Sequence, residues 1–123
     1  MDYKKSEAKE YAREHLVGVW AANLTPFDDA LRVDEKAYRE NLDHWIKDLQ
    51  LGGLFIAGKQ AEFFSMSIPE RKRLMEMSVE AAQAAGDRGG IGRCGIITSC
   101  SDTNLDVVLD LAQHSQNIGA DYR

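Results

Sequence analysis

GGLFIAGKQAEFFSMSIPERKR, residues 52–73, reads as a buried strand, a glycine-led loop and the start of a charged helix. Leu54-Phe55-Ile56-Ala57 is a short continuous apolar run closed by Gly58, the pattern of a strand buried on both faces in a parallel sheet. The helix start carries three separate signals. Ser67 offers a hydroxyl to the first turn, Pro69 occupies a position that needs no backbone donor, and Glu70 follows Ser67 at capping-box spacing. Between strand and helix, Gly58 to Glu62 lies at the carboxyl end of the strand, the edge at which α/β folds bind ligands.

Working outward, Tyr38, Leu42, Trp45, Ile46 and Leu49 recur at helical spacing and predict a helix from about Asp34 to Gln50, with Asp34 as its cap and Gly52-Gly53 as its stop. The helix that opens at Ser67 is expected to run over 68–85, burying Leu74, Met75, Val79 and Ala82 and ending at Gly86. Met75 and Met77 read as core filler. Gly90, Gly92 and Gly95 spell the dinucleotide fingerprint, but that fingerprint needs a strand before it and a helix after it. Here a helix precedes and a strand, Cys94 to Ser99, follows, so the glycines read as an αβ connection. A further helix over 102–117 has Leu105, Val108, Leu109 and Ala112 as its expected buried stripe, and Gly119 ends it. Ala120-Asp121-Tyr122 reads as the opening of a fourth strand.

Upstream, residues 17–25 (VGVWAANLT) read as the first strand, ended by Pro26, and a loop with Asp28 and Asp29 follows. Residues 2–16, with Tyr3, Tyr11 and Leu16 as apolar anchors among alternating charges, read as a short amphipathic helix laid on the main body. Residues 1–16 are therefore taken as a helical extension and 17–123 as one α/β domain. The alternation βαβαβα, with a last β begun, predicts a parallel sheet with right-handed crossovers. Periodicity alone leaves two closures open, a doubly wound sheet and a (β/α)8 barrel.

Composition excludes several function classes. A chain of 123 residues with 44% hydrophobic and 28% charged residues is ordinary for a globular domain. A formal charge of -5 with scattered Lys and Arg argues against nucleic acid as a partner. No apolar run approaches the ~20 residues of a membrane span, and the charged N-terminus lacks the apolar core of a signal peptide, so the expected location is cytoplasmic. Cys94 and Cys100 are the two cysteines and are expected as reduced thiols on one side of a strand. His15, His44 and His114 stand apart on predicted helices with no partner at ligand spacing, so no metal site is expected.

Four stretches together resemble the dihydrodipicolinate synthase and N-acetylneuraminate lyase family: residues 18–27 (GVWAANLTPF), residues 53–58 (GLFIAG) with Glu62, the helix start SIPERKR at 67–73, and AQHSQNIGAD at 112–121. The resemblance covers about residues 17–122, the N-terminal half of the family pattern. It implies a (β/α)8 TIM barrel, a homotetrameric assembly and class I aldolase chemistry. There a lysine forms a Schiff base with pyruvate or another 2-oxo acid, and the protonated imine serves as electron sink for making or breaking a carbon–carbon bond, without a further cofactor. The family's Schiff-base lysine lies on the sixth strand, and this sequence reaches the fourth. No catalytic residue is thus expected within it, and the chain alone is expected to be inactive. The alternative is a non-catalytic half-barrel that associates through its open sheet edges.

The resemblance places a substrate-binding loop after the second strand, where the family has Gly-Thr-Thr-Gly-Glu. Gly58 and Glu62 match, while Lys59, Gln60 and Ala61 replace Thr, Thr and Gly. Gly58, Lys59 and Gln60 are the expected binding residues. Gln60 takes the carboxylate-binding position and still offers a backbone N–H and an amide. Lys59, a cation that only donates, does not replace the family's hydroxyl in a proton relay. It either pairs with a substrate carboxylate as a point charge or points to solvent. Ser101 stands where the family has a glycine near the end of the third strand.

Overall fold

The computed structural model describes residues 4–122. A 3-10 turn, Lys5–Glu7, leads into α1 (Ala8–His15), so the N-terminal helix forms as expected, while Tyr3 lies outside the described residues. Then follow β1 (Trp20–Ala22), α2 (Glu35–Asp43) continued by a π turn (His44–Asp48), β2 (Gly53–Ile56), a 3-10 turn (Phe63–Ser65), α3 (Ile68–Ala85), β3 (Gly95–Thr98) and α4 (Leu105–Asn117).

The helix ends follow the local chemistry. Asp34 Oδ1 accepts the Ala37 N–H at 3.0 Å and starts α2. Ser67 and Glu70 close the capping box reciprocally, the Ser67 N–H reaching the Glu70 carboxylate at 2.8 Å and the Glu70 N–H reaching the Ser67 hydroxyl at 3.4 Å. Gly86, at φ +58°, ends α3. In α2 the stripe departs from expectation. Tyr38, Leu42 and Ile46 are buried, but Leu49 is 53% exposed. The cause is the π turn: the Leu49 N–H bonds His44 O, five residues back, and this wider turn rotates Leu49 off the core face.

The three strands pair in parallel in the order β1-β2-β3, with Trp20, Gly53 and Gly95 in register. Tyr122 adds a parallel bridge to Ile97, on the far side of β3 from β2, where a fourth strand was expected. Each strand thus lies beside its predecessor. A doubly wound sheet reverses after its first strand or its third, and either way a strand returns to the side of β1, whereas a barrel runs round in sequence. Tyr122 beside β3 therefore selects the barrel closure. β1 is shorter than the nine-residue expectation because Gly18, at φ +78°, bends the chain before it. β2 also ends at Ile56, and beyond the paired residues the Asn23 N–H bonds Phe55 O at one end and the Gly52 N–H bonds Val19 O at the other.

Alternation along β2 and β3 divides the sheet faces. Leu54, Ile56, Ile96 and Thr98 are fully buried beneath the helices, against Tyr38, Leu42 and Ile46 of α2, Leu74, Met75 and Met77 of α3, and Leu111 of α4. Phe55 and Ile97 face the other way and are half-buried. On that inner face the Trp20 indole lies flat across Gly53 and Gly95, and a Cβ at either glycine would overlap the ring. Gly52 and Gly53 therefore serve close packing. The left-handed residue at the end of the preceding helix is Gln50, at φ +51°. The stripe of α4 is also rotated from expectation: Leu111 and Ser115 are buried, whereas Leu105 and Leu109 are exposed. Thr98 selects this face, since its hydroxyl bonds that of Ser115 at 2.5 Å.

Candidate functional site

The loop at the carboxyl end of β2 is set by two residues in left-handed backbone, Ala57 at φ +53° and Glu62 at φ +58°. Non-glycine residues adopt this region at a cost, and such strain gathers where a fixed backbone shape has a use. Between them the chain coils tightly. The Ala61 N–H bonds Gly58 O and the Glu62 N–H bonds Lys59 O, both at 3.1 Å, and the Phe63 N–H also reaches Gly58 O at 3.5 Å. With these carbonyls turned inward, the N–H groups of Gly58, Lys59 and Gln60 have no backbone acceptor among the described residues. Successive N–H groups without a backbone acceptor are available to an anion. Gly58 itself is buried against the Phe55 ring, leaving no room for a Cβ.

The loop is anchored from the segment that follows β1. The Thr25 hydroxyl donates to Ala61 O at 2.9 Å. Two residues earlier, the buried Asn23 amide donates to the Tyr38 hydroxyl at 2.7 Å, and Tyr38 meets Ser78 at 2.9 Å. Ser78 spends its own proton on Leu74 O at 2.7 Å, so Tyr38 donates to Ser78 and accepts from Asn23. Complete burial pushes the Tyr38 phenol far above its ordinary range, partly opposed by the Ser78 and Asn23 hydrogen bonds. It therefore stays protonated and able to donate. This chain ties the end of β1 to α2 and α3.

Beside the loop, a cavity of about 450 Å³ is lined by Phe63, Phe64, Met66, Ile68, Arg71, Ser101, Asp102 and Thr103. Arg71, on the first turn of α3, is 1% exposed. Its guanidinium donates to Asp102 Oδ2 at 3.1 Å and to Ser101 O at 2.8 Å, and lies 5.0 Å from the centre of the Phe63 ring. The Asp102 carboxyl is held below the usual range first by the N–H of Asn104, with Arg71 adding to it. Sequence reasoning missed Arg71. A signal existed, because Arg71 shares the inward stripe of α3 with Leu74, Met75 and Ser78, and a charged residue on an apolar stripe marks a buried ion pair.

The expected binding residues lie together on this loop: Gly58 buried, Lys59 and Gln60 exposed to solvent at the carboxyl end of the sheet. Ser101 lies across from them in the loop after β3, engaged through its carbonyl by Arg71. The glycine-rich stretch before β3 is an αβ connection, with the Arg88 guanidinium stapling it to Ile46 O, Leu51 O and Gly92 O. Cys94 is buried and Cys100 half-buried, and neither forms a disulfide. His15 is exposed and stacked on Tyr11, His44 bonds Asp48, and His114 Nε2 lies 3.2 Å from Glu76. No group of three or more metal-ligating side chains occurs among the described residues. None of the described helices is long and apolar enough to cross a membrane.

The chain resembles known proteins in sequence and fold. The model of the Dihydrodipicolinate synthetase family matches residues 15–122. The N-acetylneuraminate lyase of Clostridium perfringens is 29% identical over 106 residues, 86% of this chain and 34% of that protein. The 4-hydroxy-tetrahydrodipicolinate synthase of Brucella abortus is 33% identical over 106 residues, 86% of this chain and 33% of its own length. Among solved structures, CdNal from Clostridium difficile, crystallised with mannosamine, superposes with a TM-score of 0.74 at 26% identity over 85% of this chain and 33% of that one. The chain thus spans about a third of the length of the relatives it matches, and its open three-stranded sheet corresponds to part of their barrel. With strands in sequential order and the family match over nearly its whole length, the chain belongs to the dihydrodipicolinate synthetase family.

Proposed function

We propose that this chain carries the carboxylate-binding part of a lyase that joins or cleaves a carbon–carbon bond through a Schiff base with pyruvate or another 2-oxo acid. The observation that carries the reading is the run of free N–H groups at Gly58, Lys59 and Gln60, held between the left-handed residues Ala57 and Glu62. Three successive donors without a backbone acceptor at a strand end suit a carboxylate, and they act through the backbone, so replacing the family's two threonines leaves them in place. The Gln60 amide adds a donor. Lys59 adds a positive charge where the family has a relay hydroxyl, which favours a 2-oxo acid with a second anionic group within its reach.

The imine-forming lysine belongs to a strand beyond this sequence, so the 123-residue chain alone forms no adduct. No added cofactor takes part. The parent enzyme is expected to be a cytoplasmic homo-oligomer acting on small molecules, with neither nucleic acid nor membrane as partner. Borohydride trapping with pyruvate tests the reading. No trapped mass is expected on the 123-residue chain, and one pyruvyl addition is expected on a protein extended to the relatives' length. A trapped lysine on the short chain would overturn the assignment of the nucleophile, and a full-length protein that traps nothing would overturn the aldolase reading.

A second reading, a non-catalytic half-barrel that pairs with other chains, is favoured by one observation. Leu105 and Leu109 stand exposed on one face of α4, and β1 carries exposed Val19 and Leu24 at its ends.

A further inference from the structure

We infer that Arg71 is a positioning residue, which fixes the free N–H groups at Gly58, Lys59 and Gln60 by clasping the loops after β2 and β3 together. The inference rests on the proposed carboxylate loop but concerns a residue outside it. The physical path is short. The Arg71 guanidinium lies against the Phe63 ring, and the Phe63 N–H is bonded back to Gly58 O, the carbonyl whose inward turn leaves the neighbouring N–H groups free. On its other side the same guanidinium holds Ser101 O and the Asp102 carboxylate, and Asp102 in turn accepts the Asn104 N–H that opens α4. One planar fork therefore meets an aromatic ring, a carbonyl and a carboxylate, which is the work of a guanidinium and not of an ammonium.

Burial makes the clasp effective. At 1% exposure the guanidinium competes little with water, so its partners are held to one geometry. The Thr25 hydroxyl restrains the same loop from the segment after β1 through Ala61 O, leaving the Phe63 side to Arg71. Lysine at position 71 would keep the charge, yet it could not satisfy Ser101 O and Asp102 while facing the Phe63 ring.

Hydrogen exchange resolved by residue tests this on the 123-residue chain, with Arg71→Met, Arg71→Lys and the milder Phe63→Leu. In Arg71→Met the hydrogen-bonded amides of Ala61, Glu62 and Phe63, whose bonds to Gly58 O and Lys59 O hold the loop, and those of Ser101 and Asn104 are expected to exchange about tenfold faster or more, while those of Leu74 to Val79 within α3 keep their rates. Arg71→Lys should recover only part of the protection, and Phe63→Leu should speed the amides at 61–63 alone. Faster exchange at Ser101 and Asn104 without change at 61–63 would reduce Arg71 to an anchor of the loop after β3 and overturn the inference. Uniformly faster exchange in all three variants, Phe63→Leu included, would overturn it as well, since the effect would be one of global stability. Should Arg71→Met fail to fold, Phe63→Leu and Arg71→Lys decide between the same outcomes. Pyruvate binding, followed by amide shifts at 58–60, is the separate arm: it should weaken about tenfold in Arg71→Met. A wild-type chain that binds no pyruvate would sink the carboxylate reading while the exchange arm still decides the role of Arg71.

Discussion

Gly53 and Gly95 matter for what they lack, since the Trp20 indole occupies the inner face of the sheet where their side chains would be. Both are backbone rungs of a parallel ladder, so neither can shift without pulling the register with it. Gly53→Ala or Gly95→Ala is expected to lower stability by about 1–3 kcal/mol, read as the urea midpoint, and Trp20→Leu in the same chain should return part of the loss. A midpoint unchanged in both alanine variants would mean that Trp20 packs elsewhere. Asp102 gives a prediction with a sign. Its carboxyl is held low by the Asn104 N–H and then by Arg71, so the native state binds that proton less readily than the unfolded chain. The stabilisation is complete above the ordinary aspartate value of about 3.9 and is lost as pH falls through the lower native value. The stability difference between wild type and Asp102→Asn should therefore hold steady from neutral pH down to about pH 5 and close in stronger acid. A difference that instead grew with acidification would contradict the pairing.

Elements differ in how much of them the sequence discloses, and the reason lies in where each signal comes from. α3 runs over 68–85 as expected because its start and stop are local: a capping box, a proline in the first turn and a glycine past the end. The buried faces of α2 and α4 depend on partners, and there the expectation slips. In α2 the π turn is invisible to a fixed helical period, and it turns Leu49 outward. Leu49→Ala should thus change stability by no more than about 0.5 kcal/mol, whereas Ile46→Ala one turn earlier should cost about 2–5 kcal/mol. Equal costs in thermal or urea unfolding would show that the helix keeps a regular period. In α4 the choice between two apolar stripes falls to the Thr98–Ser115 hydrogen bond, a contact between elements with no local signature. The site follows the same rule. The position of the Gly58-Lys59-Gln60 loop at the carboxyl end of a strand was legible because the strand pattern is local, while Arg71 makes its contacts with residues thirty positions away.

For the whole molecule, alternation of strand and helix established parallel βα units, but closure became readable only from spatial order, with Tyr122 continuing the sheet beyond β3. That order leaves a physical imbalance. Parallel sheets are stable when both faces are covered, and here helices cover one face while Phe55 and Ile97 on the other remain half-buried. β1 has no neighbour on its outer side among the described residues, and past α4 the exposed Leu105 and Leu109 form an uncovered stripe. Each exposed leucine alone would be unremarkable, but a pair one turn apart beside an open sheet favours association. The 123-residue chain is therefore expected to self-associate, with a sedimentation coefficient that rises with concentration across the micromolar range. Leu105→Lys with Leu109→Lys should shift that distribution toward monomer while leaving the unfolding midpoint within about 0.5 kcal/mol of wild type, because both side chains already face water. A chain that stays monomeric at every concentration would overturn the expectation and show that the Trp20 face and the α4 stripe tolerate solvent unaided. If association persists in the double variant, the contact runs through the strand edges. Lysine placed at Val19, on the β1 side, should then disperse it by charging the edge, as natural sheets do.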